Sequence, residues 1–242
     1  MPKNVEIERL EWDSAFFGFS VGRFAERSLA IERQEVLHAM HRLSYDLAYW
    51  NSPHKLPQEF EPDFVVSQVT FRKSLSIGDL PVSNRQSLIA TSYPKQIASE
   101  PLRQLAYEAG WSSRFQMDRN IDRAMFHKLY DLWIDRSCLR EIADEVLVVQ
   151  AAEEICGFVT LKVSGDDAQI CLIAVGANYR GRGIGGLLMT SVQDHAITCG
   201  CTSLKVVTQL NNVAAIKLYE KHEMKLVDTQ HWYHIWRNSV ES

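Results

Sequence analysis

Several features that would place a chain in a class at a glance are missing here. No apolar run approaches the ~20 residues of a membrane-crossing helix, so membrane insertion is not expected. No basic stripe is present either. Against 26 Lys and Arg stand 30 Asp and Glu, the formal charge is -4, and the basic residues are scattered, which argues against nucleic acid as a partner. The segment Met1-Pro-Lys-Asn-Val-Glu-Ile-Glu carries no apolar stretch of the secretory kind, and the expected location is the cytoplasm. The five cysteines, Cys138, Cys156, Cys171, Cys199 and Cys201, form no Cys-x-x-Cys pair and find no His/Cys partners at ligand spacing. Free thiols in a reducing compartment and no metal are the expectation. Internal repeats and low-complexity tracts are absent as well.

What is there supports a sizeable core: 242 residues, 46% hydrophobic, long for one average domain and short for two. Val5 to Leu10 alternates like a half-buried strand, and Leu10-Glu-Trp-Asp-Ser-Ala-Phe-Phe-Gly-Phe reads as a loop unusually rich in aromatics. A strand is expected at Phe19 to Phe24. Apolar residues at Val36, Met40, Leu43, Leu47 and Trp50 predict one amphipathic helix from Ile31 to Trp50, stopped by Asn51-Ser-Pro. Asp63 to Phe71 is rich in β-branched residues and predicts a strand. This makes a small N-terminal β-α-β subdomain. The linker composition of Ser74 to Arg85 divides the chain into residues 1–85, on the substrate side, and residues 86–242.

In the second part the pattern predicts a strand at Ser87 to Thr91, a helix from Pro94 to Ala109, a break at Gly110 to Asp118, and a helix from Ile121 to Cys138. Strands follow at Val146–Ala151, Ile155–Val163 and Ala168–Val175, then a helix, a strand at Leu204–Thr208, and a helix at Asn212–His222. Two short strands, Leu226–Asp228 and His231–Trp236, close the order. The fold class is α/β in the α+β sense: a mixed, mostly antiparallel sheet flanked by helices, with too few βα alternations for a doubly wound sheet.

The chemistry gathers at Val175-Gly-Ala-Asn-Tyr-Arg-Gly-Arg-Gly-Ile-Gly-Gly-Leu-Leu-Met189. The apolar run Ile170 to Val175 leads in, and Ile184, Leu187, Leu188, Val192 and Ala196 then recur at helical spacing. Strand, glycine turn and helix start together make an anion cradle. The first helical N–H groups lack intrahelical partners, and the helix dipole adds partial positive charge. Gly181, Gly183, Gly185 and Gly186 would let that backbone approach a phosphate, and Arg180 and Arg182 would add counter-charge. A P-loop would need a Lys after the glycines, and none follows. Gly181-x-Gly183-x-x-Gly186 meets the dinucleotide expression by letter, yet the next strand ends in Thr208-Gln209 without the carboxylate that fingerprint requires.

Arg180-x-x-Gly183-x-Gly185 resembles the acyl-CoA-binding loop of the GCN5-related N-acetyltransferase (GNAT) family. Asn212, Ala215, Leu218, Tyr219, Lys221 and Met224 resemble its terminal motif, with Glu223 where the family has glycine. The order of elements over residues 86–238 resembles the GNAT fold too. The resemblance implies acetyl-CoA as co-substrate, with its pantetheine amides on main-chain groups of Ile173 and Val175. It puts the pyrophosphate on Arg180, Gly181, Arg182, Gly183, Ile184, Gly185 and Gly186, and a hydrogen bond on Asn212. Tyr219 would protonate the departing thiolate; packing as a core residue is the other reading of that side chain. For the base that relieves the attacking amine of its proton, His127, His195, His231, His234, Glu108, Asp118 and a water chain all stay open.

The aromatic segment Leu10 to Phe19, with Ser113-Arg-Phe115 and Val207-Thr-Gln209, is similar to a branch of the same family that acetylates dTDP-4-amino-4,6-dideoxy sugars. It implies a dTDP-amino sugar as the small-molecule partner, with Phe16, Phe17 and Phe115 against its rings and Arg114 on a phosphate. Core packing of the aromatics, and pairing of Arg114 with Glu108 or Asp118, are the alternatives. Two further functions stay open: acetylation of another amine, such as a protein N-terminus or a small metabolite, and acyl-CoA sensing without turnover. A homodimer is left undecided by these residues.

Overall fold

The computed structural model describes residues 6–24, 32–57, 60–76, 78 and 88–238. Most of the linker expected over residues 74–85, and with it the boundary at 85/86, lies outside the described residues. The chain forms two compact units. The smaller reaches Gln68 and adds Asp118–Asn120 and the chain from Thr229; the larger is Val69–Met117 with Ile121–Asp228.

The smaller unit begins with β1 (Ile7–Arg9), α1 (Glu11–Phe17), β2 (Val21–Phe24), α2 (Arg33–Leu43) and β3 (Leu47–Ser52). To these it adds the first residues of β4 (Phe64–Ser74) and the last of β10 (Lys225–Trp236). Its strand order is β1-β2-β3-β10-β4, with β2 and β3 parallel and β10 antiparallel to β3. The aromatic loop expected at residues 10–19 is instead the helix α1. Gly18 ends it at φ 77° with its N–H on Ser14 O, and the Ser14 hydroxyl bridges both main-chain groups of Val21. Trp12 and Phe16, four residues apart, stack at 5.1 Å as helical neighbours do.

The helix expected from Ile31 to Trp50 ends at Leu43. Ser44 turns left-handed (φ 58°), and Tyr45 N–H returns to Met40 O, a bond that closes the helix. Leu47-Ala-Tyr-Trp then runs as β3, buried on both faces, so it shows no alternation. Leu47 and Trp50 continued the helical spacing by coincidence.

The larger unit orders its strands β4-β9-β8-β7-β6-β5. These are β5 (Ala90–Ser92), β6 (Glu145–Ala151), β7 (Glu154–Ser164), β8 (Asp167–Val175) and β9 (Ser203–Gln209). Pairs β5/β6, β6/β7 and β7/β8 are antiparallel and β8/β9 is parallel, which gives the mixed, mostly antiparallel sheet. Helices α3 (Glu100–Gly110) and α5 (Arg123–Cys138) flank it, with the short α4 (Arg114–Met117) between them. From α6 (Ile184–Thr198), Ile184, Leu188, Val192 and Ala196 pack with Val159, Leu161, Ile170 and Leu204 of the sheet. Helix α7 (Val213–Lys221) adds Tyr219 to the same core. The two closing strands expected at residues 226–236 are one, β10, because the polar Asp228-Thr-Gln stretch stays extended.

Gly110 sets how α3 approaches α5. A methyl group there would lie 2.2 Å from the buried Tyr130 ring, which itself packs on Phe126 and Trp133. Gly110→Ala is therefore expected to cost about 1–3 kcal/mol, as overpacking does, seen as a lower urea midpoint. An unchanged midpoint would mean that the Tyr130 ring moves aside freely.

Candidate active site

Register decides where the site forms. On β8, Ile173 faces Val159 and Ile170 faces Leu161, so Thr160 of β7 stands opposite two residues, Cys171 and Leu172. The buried Thr160 hydroxyl takes the Leu172 N–H at 3.0 Å, which holds this bulge in place. Pairing with β9 runs from Asp167↔Ser203 to Ile170↔Val206, and β8 continues past it to Val175. On the β7 side, Gly176 N–H bonds Cys156 O. Antiparallel bonding alternates, so Ala174 also points its main-chain groups at β7, while Ile173 and Val175 point theirs the other way. The bulge and the departure of β9 thus open a strand edge at the two residues expected to bind pantetheine.

That edge is one wall of a cavity of about 480 Å³ lined by Val175, Arg180, Asn212 and Tyr219, with Glu108 and Trp111 on another wall. Arg180 reaches into it, donating from Nε to Val175 O (3.2 Å) and from Nη2 to Glu108 (2.5 Å). The expected counter-cation is thus held on the open strand edge by a carboxylate. Arg182 packs its guanidinium 5.4 Å from the Tyr179 ring, and the Tyr179 hydroxyl donates to Glu154 at 2.6 Å.

The four glycines of the turn divide by role. Gly181 (φ 76°) and Gly183 (φ 83°) take left-handed conformations, and Gly183 is the N-cap of α6. The following residues, Ile184, Gly185 and Gly186, present the first-turn N–H groups that no helical carbonyl accepts. Gly185 and Gly186 lie beside Leu218 and His222, with room for ordinary contact. A Cβ would sit 3.5 Å from Leu218 at the first and 3.5 Å from His222 Nε2 at the second. His222, a contact to which no motif pointed, is held below the usual imidazole range by burial and by Lys73 and Lys221.

On α7, Asn212 is the N-cap: its Oδ1 accepts from Ala215 N–H (3.3 Å), and its Nδ2 donates to Thr208 Oγ1 (3.2 Å). Tyr219 is buried to 2% exposure, edges Phe71 at 5.8 Å and still lines the cavity. Burial raises its phenol well above the ordinary value. The acid form therefore persists through neutral and mildly alkaline pH. Of the six candidates for the base, Glu108 lines the cavity. His127 lies 4.4 Å from the Tyr107 ring, and His195 sits in the last turn of α6. In the smaller unit, His231 bonds Ser67 (2.8 Å), and the fully buried His234 bonds Asp118 (2.5 Å).

The residues assigned to the acceptor are not gathered in this cavity's lining. Phe115 is buried against Trp133, and Arg114 lies 4.4 Å over the Phe115 ring. Phe16 and Phe17 belong to α1 in the smaller unit, where Phe17 is buried and stacks on Phe19 at 5.5 Å. Trp111 and Ser112, which follow α3 on the same wall as Glu108, were not among the site residues expected from the sequence. Their one signal was the Gly110-Trp-Ser-Ser break in the helical pattern.

Residues 109–224 match the model of the acetyltransferase (GNAT) family. That span, just under half of the chain, resembles a GNAT acetyltransferase. The family uses acetyl-CoA, and the open edge of β8 with the first turn of α6 is built from groups that suit it. Among curated proteins, a dTDP-fucosamine acetyltransferase of Escherichia coli is 27% identical over 237 residues, covering 96% of this chain and 99% of that one. The spore coat polysaccharide biosynthesis protein SpsD of Bacillus subtilis is 26% identical over 59% of this chain and 49% of its own length. A GCN5-related N-acetyltransferase from Sphaerobacter thermophilus shares the fold, with a TM-score of 0.57 at 11% identity, over 98% of this chain and 77% of that one.

Because Asn212 caps α7 through one side-chain oxygen, Asn212→Ala is expected to cost about 1 kcal/mol. Chemical denaturation of the variant checks it, and an unchanged midpoint would mean that solvent caps α7 equally well.

Proposed function

We propose that this acetyltransferase moves the acetyl group of acetyl-CoA to the amine of a nucleotide-linked amino-deoxysugar of the dTDP-4-amino-4,6-dideoxyhexose type. The product would be a precursor of a surface polysaccharide, made in the cytoplasm. The observation that carries this reading is the extent of the likeness to dTDP-fucosamine acetyltransferase. It spans 96% of this chain and 99% of the relative, so it includes the residues that precede the family match at 109. The likeness to SpsD adds a second polysaccharide protein.

The residues of the larger unit supply each need of the reaction. The amine attacks the thioester carbonyl carbon, a C–N bond forms, and the C–S bond breaks with its electron pair leaving on sulfur. Charge that gathers on the carbonyl oxygen meets a main-chain N–H of the open β8 edge, a donor fixed before the reaction starts. Tyr219 gives its proton to the departing sulfur, and burial keeps that proton in place until it is needed. The amine loses its own proton to solvent or to Glu108, the cavity carboxylate. Gly183 to Gly186 and Arg180 face the pyrophosphate.

Release of free thiol from acetyl-CoA with a panel of amines tests the proposal. Turnover is expected with dTDP-4-amino-4,6-dideoxy sugars. Turnover confined to peptide N-termini or small amines would replace the substrate, and CoA binding without turnover on any amine would point to a sensor. In the active case, Tyr219→Phe is expected to lower kcat about 100-fold or more, with KM for acetyl-CoA little changed. Undiminished turnover would remove Tyr219 from the mechanism.

A further inference from the structure

We infer that Trp111, with Arg123 beside it, forms the acceptor subsite: the indole face stacks on the sugar ring and the guanidinium takes the diphosphate. The inference rests on the nucleotide-sugar reading above. Trp111 follows α3 directly, fixed by Gly110 beneath Tyr130, and lines the same cavity as Tyr219. Yet it is 58% exposed. Leaving a large indole in solvent forgoes much of the stabilisation that its burial would bring, and here the exposed ring stands at the reaction site.

The walls of the cavity divide by chemistry. The β8 edge and the start of α7 offer main-chain groups, the Asn212 cap and Tyr219. The end of α3 offers an aromatic face, a hydroxyl and a carboxylate: Trp111, Ser112 and Glu108. It is a helix C-terminus, where the dipole disfavours phosphate, so this wall suits the uncharged part of a ligand. A dideoxyhexose has such a part, since loss of two hydroxyls leaves an apolar ring face that packs on indole. The phosphates then need a cation next to the ring. Arg123, exposed at the start of α5, places its guanidinium 6.0 Å from the Trp111 ring. Arginine binds paired phosphate oxygens through its planar fork.

This assignment differs from the one read from the sequence. Phe115, expected there from the resemblance carried by Ser113-Arg-Phe115, is packed against Trp133. The exposed aromatic is four residues earlier.

Steady-state kinetics with a dTDP-4-amino-4,6-dideoxy sugar and acetyl-CoA test the subsite in the full chain. Trp111→Ala should raise KM for the sugar about tenfold or more, within the range of a lost stacking contact. KM for acetyl-CoA should stay within about twofold, and Trp111→Phe should restore most of the sugar affinity. Arg123→Gln should raise KM for the dTDP-sugar, and 0.3 M salt should weaken wild-type binding of the sugar more than that of the variant. Equal KM values in wild type and Trp111→Ala would overturn the inference, as would a loss confined to acetyl-CoA, which would put Trp111 on the cofactor side. Urea midpoints and CoA titration confirm that each variant is folded. Wild-type protein that turns over other amines and no nucleotide sugar would refute the proposed function and this subsite together. Normal wild-type turnover with unaffected variants would refute the subsite alone.

Discussion

A main-chain N–H or C=O shielded from water without a partner costs about 1–3 kcal/mol, and β9 leaves the edge of β8 uncovered at the half-buried Ile173 and Val175. The site in the larger unit follows from this constraint. Thr160 stabilises the bulge, the bulge turns the strand, and β9 pairs no further than Val206. An open edge inside a sheet calls for an occupant with alternating donors and acceptors, which is what the two amides of a pantetheine arm provide. Arg180 supplies a donor to Val175 O.

The second constraint is the close approach of α6 and α7. Gly185 and Gly186 face Leu218 and His222 at ordinary contact distance. Tyr219 is next to Leu218, so this packing also fixes the depth at which the phenol enters the cavity. Glycines in such a turn thus serve two purposes. Those at positive φ shape the turn, and those inside the helix lie against α7, which carries Tyr219.

The sequence made this half legible because its signals are local. Strand, turn and helix lie within residues 170–198, and the spacing Asn212 to Tyr219 is one helix long. The N-terminal half was harder, for physical reasons. Leu47-Ala-Tyr-Trp is buried on both faces and so has no period to read, and only the short turn Ser44-Tyr-Asp46, with Ser44 left-handed, separates it from α2. The α1 aromatics looked like a loop because Gly18, the residue that ends the helix, sits among them. Asp118 shows a limit of another kind. It accepts from His234, Asn120 and Trp236, and these bonds outweigh the upward push of burial and hold its carboxyl below the ordinary range. Two of those partners lie more than a hundred residues away in the chain, a distance no local pattern spans. What looked like a candidate base is the centre of a buried polar network.

Arg180 brings the two constraints together. Its pair with Glu108 is roughly half exposed on both sides, at 59% and 42%, and pairs of that kind contribute about 0–1 kcal/mol. So weak a hold orders the side chain without locking it. A pyrophosphate on the first turn of α6 carries more charge than one carboxylate and is supported by the helix dipole, so it outcompetes Glu108 for the guanidinium. The exchange has a consequence for the opposite wall. Once Arg180 turns to the phosphates, the Glu108 carboxylate faces the cavity without its cation, next to Trp111 and Ser112. An approaching ammonium group meets it there, and its proton has somewhere to go. In the proposed reaction, that carboxylate stands on the acceptor side of the cavity, opposite Tyr219.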